Sequence, residues 1–320
     1  MPNQTSPKAP RTLLEILKWT SDYFAAHHID SPRLTAEILL AEALGLDRID
    51  LYVRFDQPLS QDERRRFKAL IRRRIEKEPV AYILGRKGFW NVTLDVTGDV
   101  LIPRPETEVL VEAALDRLAQ ITDHTPRVID VGTGSGAIVV AMAASDASSS
   151  SSQPSSQSGA PSAHFSAGRI QYFASDRSAA AVRVAAANAV QNAVADRIRF
   201  FVGNWLAPVA PGPSFDMIIA NPPYVASGDI ARLAPEIRRY EPLAALDGDE
   251  SGLRDIAALV AAAPGHLAAG GLLMLEIGWD QKEALRDLAQ KTAAYEHIEF
   301  VQDYSGHNRV AVLEKSSTIN

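Results

Sequence analysis

From residue 126 onward the sequence alternates between short apolar runs and amphipathic helical stretches, which is the strongest constraint on its fold. Strands are predicted at 127–131, 170–175, 198–202, 215–220, 271–277, 297–301 and 309–313. Helices are predicted at 109–120, 135–144, 178–192, 254–267 and 281–291. Such alternation is typical of an α/β fold with a parallel sheet covered by helices on both faces. The last two strands have no helix between them, which predicts a terminal antiparallel hairpin.

Residues 11–85 instead have the pattern of a small helical domain. Thr12-x-x-Glu15 and Ser60-x-x-Glu63 are capping boxes, each placed before an apolar periodic run. Ser31 precedes Pro32, which predicts an N-cap with proline in the first helical position, and Gly45 is predicted to end that helix.

The helix that begins after Ser60 is strongly basic. We expect its exposed face to carry Arg64, Arg65, Arg66, Lys68, Arg72, Arg73, Arg74 and Lys77. A basic face is most often simply solvated, and the alternative is a docking surface for an acidic partner.

Residues 86–105 are predicted to form a β-hairpin between the helical domain and a second domain at 106–320. The hairpin prediction comes from the alternation of Val92, Leu94 and Val96. We expect Thr107 or a neighbouring carboxylate to cap the next helix. The Ser-rich stretch 146–168 has little to bury and is predicted to be a disordered insertion.

Composition excludes several classes of function. A chain of 320 residues, 46% hydrophobic, can form about two domains, and its net charge of −6 argues against a protein that coats nucleic acid. It has no cysteine, which excludes disulfides, thiolate nucleophiles and cysteine-based zinc sites. The 7 histidines lack the spacing of a metal site, so no metal is expected. The polar start and the lack of an apolar run of ~18 residues favour a soluble, cytoplasmic protein.

A glycine-rich turn follows the strand at 127–131 and opens a helix. Its residues Gly132, Thr133, Gly134, Ser135 and Gly136 allow a tight turn and close approach of a ligand to the backbone. The turn alone is compatible with a dinucleotide, with adenosylmethionine or with close packing only.

Asp176 ends the next predicted strand and has the position of a ribose ligand. It follows Gly132 by 44 residues, but leaving out the 22 residues of 147–168 reduces the spacing to 22. A ribose-binding carboxylate is expected about 20 residues after such a glycine turn, and the cost of a longer loop rises only slowly. The alternative is an ordinary core or surface aspartate.

Two further strands end in candidate site residues. After 198–202 come Asn204 and Trp205, which suit the flanks of an adenine, although a buried core tryptophan is the alternative. After 215–220 comes Asn221-Pro222-Pro223-Tyr224, where neither proline can donate a ladder hydrogen bond. By itself this is a turn after a strand. Since ligands of open α/β sheets bind at the carboxyl ends of strands, the four sets together predict one site.

The glycine turn and the Asn-Pro-Pro-Tyr sequence together resemble adenosylmethionine-dependent methyltransferases that act on a planar amino or amide nitrogen. Further segments make the chain closely similar, over about residues 11–315, to the peptide chain release factor glutamine N5-methyltransferases. They are 78–85, 101–108, 241–246 and 275–278. The sequence departs from that family in the Ser-rich insertion and in Asn204, where the family usually has Asp.

The resemblance implies a Rossmann-like methyltransferase domain and methyl transfer from adenosylmethionine to the glutamine of the Gly-Gly-Gln loop of class 1 release factors. It implies that residues 11–85 recognise the release factor, and we expect a monomer that uses neither a nucleic-acid substrate nor a membrane. Asn221 and the Pro222 carbonyl would accept the two N–H groups of the target, beside Pro223, and Tyr224 would stack on the amide. The glycine turn, Asp176, Asn204, Trp205 and Asn221 would bind the cofactor.

Three other functions remain open at this stage. An N6-adenine methyltransferase of DNA or RNA also suits Asn-Pro-Pro-Tyr, but not the acidic composition. A non-catalytic protein that binds adenosylmethionine has no need of Asn221 and Tyr224. A nicotinamide-dependent oxidoreductase would use only the glycine turn.

Overall fold

The computed structural model describes residues 12–151 and 170–317, without the side chains of 149–151. Its helices are α1 Leu13–Ala26, α2 Pro32–Leu44, α3 Asp50–Val53, α4 Gln61–Ile75, α5 Val80–Leu84, α6 Thr107–Gln120, α7 Ala137–Ser151, α8 Ala179–Gln191, α9 Ser227–Ile230, α10 Pro235–Tyr240, α11 Arg254–Ala262 and α12 Lys282–Thr292. The strands are β1 Arg86–Phe89, β2 Val92–Asp95, β3 Arg127–Val131, β4 Gln171–Asp176, β5 Ile198–Val202, β6 Phe215–Ala220, β7 Leu267–Glu276, β8 Tyr295–Gln302 and β9 Asn308–Lys315. Across the described ranges, no helix is both long and apolar enough to cross a membrane.

The chain forms two compact units. The first comprises the residues up to Gly85 together with Ala234–Tyr240, and the second comprises Arg86–Leu233 and Glu241–Asn320. The hairpin β1–β2 thus belongs to the second unit. In it, the Asn188 side chain of α8 donates to the Asp95 carbonyl and accepts from the Asp95 amide, at 3.0 and 2.7 Å.

The first unit is built from helices whose apolar faces meet in one core. Its members include Leu13, Leu17, Phe24, Leu39 and Leu40. Both predicted capping boxes are confirmed. The Thr12 and Ser60 side chains each accept from the backbone N–H of a glutamate three residues on, and their own backbone N–H groups donate to the carboxylate of that glutamate. Gly45 ends α2 as predicted. Ser31 lies at the N-cap of α2 and Pro32 opens the helix, as predicted, although the Ser31 backbone is left-handed and its side chain makes no capping bond.

The basic helix α4 is only partly the exposed face that was predicted. Arg74 is buried, with 5% exposure, and pairs with Glu236 of α10 at 3.0 Å. Arg73 binds both oxygens of Glu78 and the carbonyls of Tyr82 and Ile83. These two arginines are therefore structural, because Arg74 pairs with a residue distant in sequence and Arg73 binds the segment that follows its own helix. Arg64, Arg65, Arg66, Lys68 and Arg72 are exposed, as predicted.

In the second unit, seven strands of the described chain form one sheet in the order β5-β4-β3-β6-β7-β9-β8. The strands β3 to β7 are parallel to their neighbours within that group, and β9 is antiparallel to both β7 and β8. The predicted α/β fold, its parallel sheet and its terminal hairpin are confirmed.

Alternate side chains of each strand enter different cores. Val128, Met217 and Met274 belong to the core on one face, and Ile129, Ile218 and Leu273 belong to the core on the other. Such two-sided burial is what a parallel sheet with crossover helices requires.

The winding direction of the sheet reverses between β3 and β6. From β3 the chain continues to β4 and β5 on one side, whereas β6 and β7 lie on the other. A crevice at the carboxyl ends of the strands is the usual ligand site at such a switch point.

Two sequence predictions for the second unit were wrong. Helix α7 extends to Ser151, so residues 146–151 are helical where disorder was predicted; the later part of the Ser-rich stretch, from 152, lies outside the described residues. The buried ion pair between Asp146 and Arg197, at 3.0 Å, anchors these last turns.

Thr107 does not cap α6 but is its first residue, with its hydroxyl bonded elsewhere.

Candidate cofactor and acceptor site

A cavity of about 340 Å³ opens at the carboxyl ends of β3, β4, β5 and β6. It brings together most of the predicted site residues: Gly132, Thr133, Gly134, Ser135, Asp176, Asn204, Trp205, Asn221 and Pro223. The predicted residues Gly136, Pro222 and Tyr224 are not among those that line it. Segments 98–101 and 242–245 contribute further walls that sequence reasoning had assigned no role in a site.

The glycine turn passes directly beneath the Trp205 ring. Gly132 has φ +78°, and a Cβ there would lie 2.8 Å from Cζ3 of Trp205. Only glycine allows both this left-handed backbone and the close approach of the ring. The turn and the tryptophan thus form one wall of the cavity.

Gly136 serves packing between helices. Its φ is +81°, and a Cβ would meet the Ala185 Cβ of α8 at 3.1 Å. The predicted role of Gly136 in cofactor binding stays a prediction, since its surroundings here are hydrophobic side chains.

Asp176 ties the end of β4 to the glycine turn. One carboxylate oxygen accepts from the Gly134 amide at 3.0 Å, and the other accepts from the Ser178 amide at 2.8 Å. Each oxygen keeps a free lone pair, so Asp176 remains able to accept from a ligand hydroxyl.

Asp130, at the end of β3, is a buried carboxyl that the sequence analysis did not single out. Burial raises the pKa of Asp130 to about 7, although the Thr133 hydroxyl donates to it at 2.6 Å. Its second oxygen has no hydrogen-bond partner within the described ranges. One oxygen of Asp130, at the start of the glycine turn, therefore remains available for a hydrogen bond.

The indole of Trp205 is fixed by a partner that the sequence does not indicate. Its Nε1–H donates to Asp255 of α11 at 3.2 Å, and Asp255 is paired with Arg254 at 2.8 Å. Asn204 lies beside it on the cavity wall. No local signal marks Asp255, since it is 50 residues from the ring that it orients.

The amide of Asn221 is held from behind by a buried network. Asn221 Nδ2 donates to Thr107 Oγ1 at 3.2 Å, and the Thr107 hydroxyl donates to Glu276 at 2.5 Å. The other oxygen of Glu276 accepts from the Tyr224 hydroxyl at 3.0 Å. The sequence pattern predicted Thr107 only as a possible helix cap and Glu276 only as part of a segment shared with the family, so it did not predict this network.

Burial governs the ionisation of this network. It raises the pKa of Glu276, which is 0% exposed, while hydrogen bonds from Thr107 and Tyr224 and the nearby Arg309 charge act in the opposite direction. Burial, with the adjacent Glu276 charge, also raises the pKa of the Tyr224 hydroxyl. Tyr224 therefore stays protonated and acts as a donor.

Gln281 fixes the backbone of the Asn221-Pro222-Pro223-Tyr224 elbow, the turn that follows β6. Its Nε2 donates to the carbonyls of Tyr224 and Gly252 at 3.0 and 3.1 Å, and its Oε1 accepts from the Gly278 amide at 2.9 Å. A Cβ on Gly252 would lie 2.4 Å from the Tyr224 carbonyl oxygen, so this position requires glycine.

Arg104 and Glu241 connect two segments at the cavity mouth. Glu241 is buried and accepts from the Arg104 guanidinium at 2.5 Å and from the Ile102 amide at 3.2 Å. This pair holds 101–108 beside 241–245.

Known proteins resemble this chain over almost its whole length. The model of the PrmC N-terminal domain matches residues 15–85, and that of the methyltransferase small domain matches 159–237. The release factor glutamine methyltransferase of Rhodopirellula baltica is 34% identical, over 98% of this chain and 99% of the relative. That of Geobacter sulfurreducens is 38% identical, over 93% and 95%. The chain belongs to the release factor glutamine methyltransferase family.

A solved structure with a related description is that of the release factor-specific protein-(glutamine-N5) methyltransferase of Alicyclobacillus acidocaldarius. It is 25% identical, covers 70% of this chain and 99% of its own, and has a TM-score of 0.37. The resemblance stated from sequence motifs is confirmed by the full-length relatives.

The residues of the cavity fit adenosylmethionine, the methyl donor expected of a methyltransferase. Asp176 has carboxylate oxygens of the kind that could accept from ribose hydroxyls. The turn between Gly132 and Ser135 presents backbone at a helix start, and Trp205 presents a flat apolar wall. A volume of about 340 Å³ lies within the range of small-molecule sites.

The contact between Gly132 and Trp205 generates a prediction for this methyltransferase. Gly132→Ala and Gly134→Ala both place alanine at positive φ, but a Cβ at Gly134 meets nothing within 4 Å. We expect Gly134→Ala to lower the free energy of unfolding by about 1–2 kcal/mol. Gly132→Ala should cost at least ~1 kcal/mol more, because the indole must move. Urea unfolding without ligand measures both, and equal losses would contradict the packing argument.

Proposed function

We propose that this protein transfers a methyl group from adenosylmethionine to the side-chain amide nitrogen of the glutamine in the Gly-Gly-Gln loop of class 1 release factors. The observation that carries the proposal is the single cavity that joins the glycine turn and Asp176 to Asn221 and Pro223. Full-length relatives named for this activity support the choice of substrate.

The chemical difficulty lies in the acceptor. An amide nitrogen is a poor nucleophile because its lone pair is delocalised into the carbonyl, as in a peptide bond. A site that holds both N–H groups with carbonyl acceptors directs the nitrogen and favours its pyramidal form. Most of the catalysis is then positioning.

The Asn-Pro-Pro-Tyr elbow provides those acceptors in our proposal. The Asn221 side-chain oxygen takes one N–H of the target, the Pro222 carbonyl takes the other, and the Tyr224 ring stacks on the amide plane beside Pro223. Two contacts limit the movement of Tyr224, one from its hydroxyl to Glu276 and one from its carbonyl to Gln281. The methylated nitrogen loses its proton readily after transfer, so the site needs no general base.

Asp176, the turn of Gly132, Thr133, Gly134 and Ser135, and the pair Asn204 and Trp205 would hold the cofactor. When bound, adenosylmethionine supplies the electrophilic methyl group. Asn204 replaces the family's usual Asp and still offers one oxygen as an acceptor.

Asn221→Ala should reduce methylation at least ~100-fold, because the target amide loses one of its two acceptors. The measurement is mass spectrometry of a class 1 release factor after incubation with adenosylmethionine, with the Gly-Gly-Gln peptide examined for one methyl group. Asn204→Ala, at the other end of the same cavity, is the matched control and should raise the KM for adenosylmethionine more than it lowers kcat.

A near wild-type rate for Asn221→Ala would refute the assigned mechanism. Methyl transfer to adenine in DNA or RNA, with none to the release factor, would favour the nucleic-acid alternative instead.

Asp176→Ala should weaken adenosylmethionine binding by ~1–3 kcal/mol, the value of charge-assisted hydrogen bonds. Titration calorimetry measures the change directly. Asp99→Ala is the control, because Asp99 is a second carboxylate on the cavity wall but does not end a sheet strand. An affinity that Asp176→Ala leaves unchanged would remove this residue from the cofactor site.

We assign recognition of the release factor to the helical segment 11–85. In α4, Arg64, Lys68 and Arg72 are exposed and spaced by four residues, which puts them on one stripe of the helix. Such a basic stripe attracts an acidic protein surface and speeds encounter with it.

Replacing Arg64, Lys68 and Arg72 together with Ser should raise the KM for the release factor roughly tenfold, since the steering charge is lost. We expect kcat and adenosylmethionine affinity to stay the same. Arg65→Ser, an exposed arginine of α4 off this stripe, is the control and should have a smaller effect. If added salt raised the KM of the wild type and the triple variant alike, the stripe would not be the recognition surface.

A further inference from the structure

The site contains a buried carboxylate that the proposed transfer does not use. Glu276, the last residue of β7, is 0% exposed. Its two oxygens accept from different elements: one from Thr107 at the start of α6, at 2.5 Å, and one from Tyr224 in the elbow, at 3.0 Å. A carboxylate is costly to bury, so its retention at this place needs a reason.

We propose that Glu276 and Thr107 are positioning residues that decide which end of the Asn221 side-chain amide faces the acceptor glutamine. The inference rests on the proposed function and deepens it, since it concerns which atom of the Asn221 amide faces the target rather than the identity of the substrate.

The protons that each group carries fix the direction of these hydrogen bonds. A threonine hydroxyl has one proton and two acceptor lone pairs, whereas a carboxylate only accepts. The Thr107 hydroxyl therefore donates its one proton to Glu276. Toward Asn221, Thr107 can act only as an acceptor. The group facing it at 3.2 Å is the Nδ2 of Asn221, which donates.

The orientation of the amide follows from this commitment. If the Asn221 amide were flipped, its oxygen would face the Thr107 lone pairs, and two acceptors would be opposed. With Nδ2 bound to Thr107, the oxygen is the end left for the acceptor site. An NH₂ target needs an acceptor there, because a donor facing it would repel its N–H groups. The hydrogen bonds from Asn221 to Thr107 and from Thr107 to Glu276, called the relay, thus select the amide orientation in which the Asn221 oxygen faces the target.

The same carboxylate also restrains the other end of the elbow. The Tyr224 hydroxyl donates to the second oxygen of Glu276, and because Glu276 is 0% exposed, water does not compete for this carboxylate. One buried group therefore sets the amide of Asn221 and the ring position of Tyr224 together.

Thr107→Val tests this relay of two hydrogen bonds, because valine keeps the shape of threonine and removes the hydroxyl that joins Asn221 to Glu276. We expect kcat to fall about 10- to 100-fold, the effect of one lost buried hydrogen bond on the reacting geometry, with the Kd for adenosylmethionine unchanged. Thr107→Ser keeps the hydroxyl and should remain within about threefold of the wild type.

A control for the loss of a buried hydroxyl is Tyr172→Phe. Tyr172 lies in β4, away from the cavity lining, is 1% exposed, and its hydroxyl lacks a hydrogen-bond partner in the part of the chain that the structure describes. The same loss of a hydroxyl there should leave kcat unchanged.

The second variant is Glu276→Gln, whose amide can donate to Thr107 and reverse the polarity of the chain. We expect a loss of kcat like that of Thr107→Val. The double variant should be no slower than the slower single one, because both changes break the same relay. Thermal unfolding of each variant, with the Kd for adenosylmethionine, confirms that the fold is retained.

The results separate this inference from the proposed function. Wild-type protein that methylates a release factor, with Thr107→Val within about twofold of it, would overturn the relay and leave the function standing. Failure of Thr107→Ser to restore the rate, or losses that multiply in the double variant, would also overturn it. Wild-type protein that methylates no release factor would refute the proposed function itself.

Discussion

The parallel pairing of β3 with β6 is the contact on which the site depends. The register sets Asp130 opposite Ile219, so two residues further on the glycine turn at Gly132 lies beside the elbow at Asn221. This pairing joins strands separated by two complete strand–helix units, and it exists only because the sheet winds outward in both directions from this point. The regions proposed to hold the methyl donor and the acceptor are thereby neighbours on one edge.

Two buried carboxyl groups hold the polar side chains at that edge in place. Asp130 and Glu276 end strands on either side of the switch point, and burial raises the pKa of both. Such carboxyl groups destabilise a fold unless hydrogen bonds compensate. Thr133 donates to Asp130, while Thr107 and Tyr224 donate to Glu276. Thr133 in the glycine turn and Thr107 at the start of α6 thus each bind a buried carboxyl group on one side of the cavity.

The sequence was informative wherever a local pattern has a local cause. The capping boxes at Thr12 and Ser60 were predicted correctly because their donors and acceptors lie three residues apart. The end of β4 at Asp176 was predicted despite the long insertion, since lengthening a loop does not move its ends. Prediction failed where the partner is distant. Arg74 looked exposed until Glu236 was found beside it, and the first turns of the Ser-rich stretch looked disordered although Asp146 pairs with Arg197.

Thr107 shows where the two kinds of information divide. By itself, the sequence determined the α/β alternation, the glycine turn, the Asn-Pro-Pro-Tyr elbow and the family to which they point, because each is a pattern of residue type and spacing within one segment. Only the tertiary structure decided that Thr107 leaves the helix cap and lies between Asn221 and Glu276. The physical reason is that the direction of a hydrogen bond depends on which atoms meet in space. Glu276 is 169 residues from Thr107, and no spacing in the chain encodes that encounter.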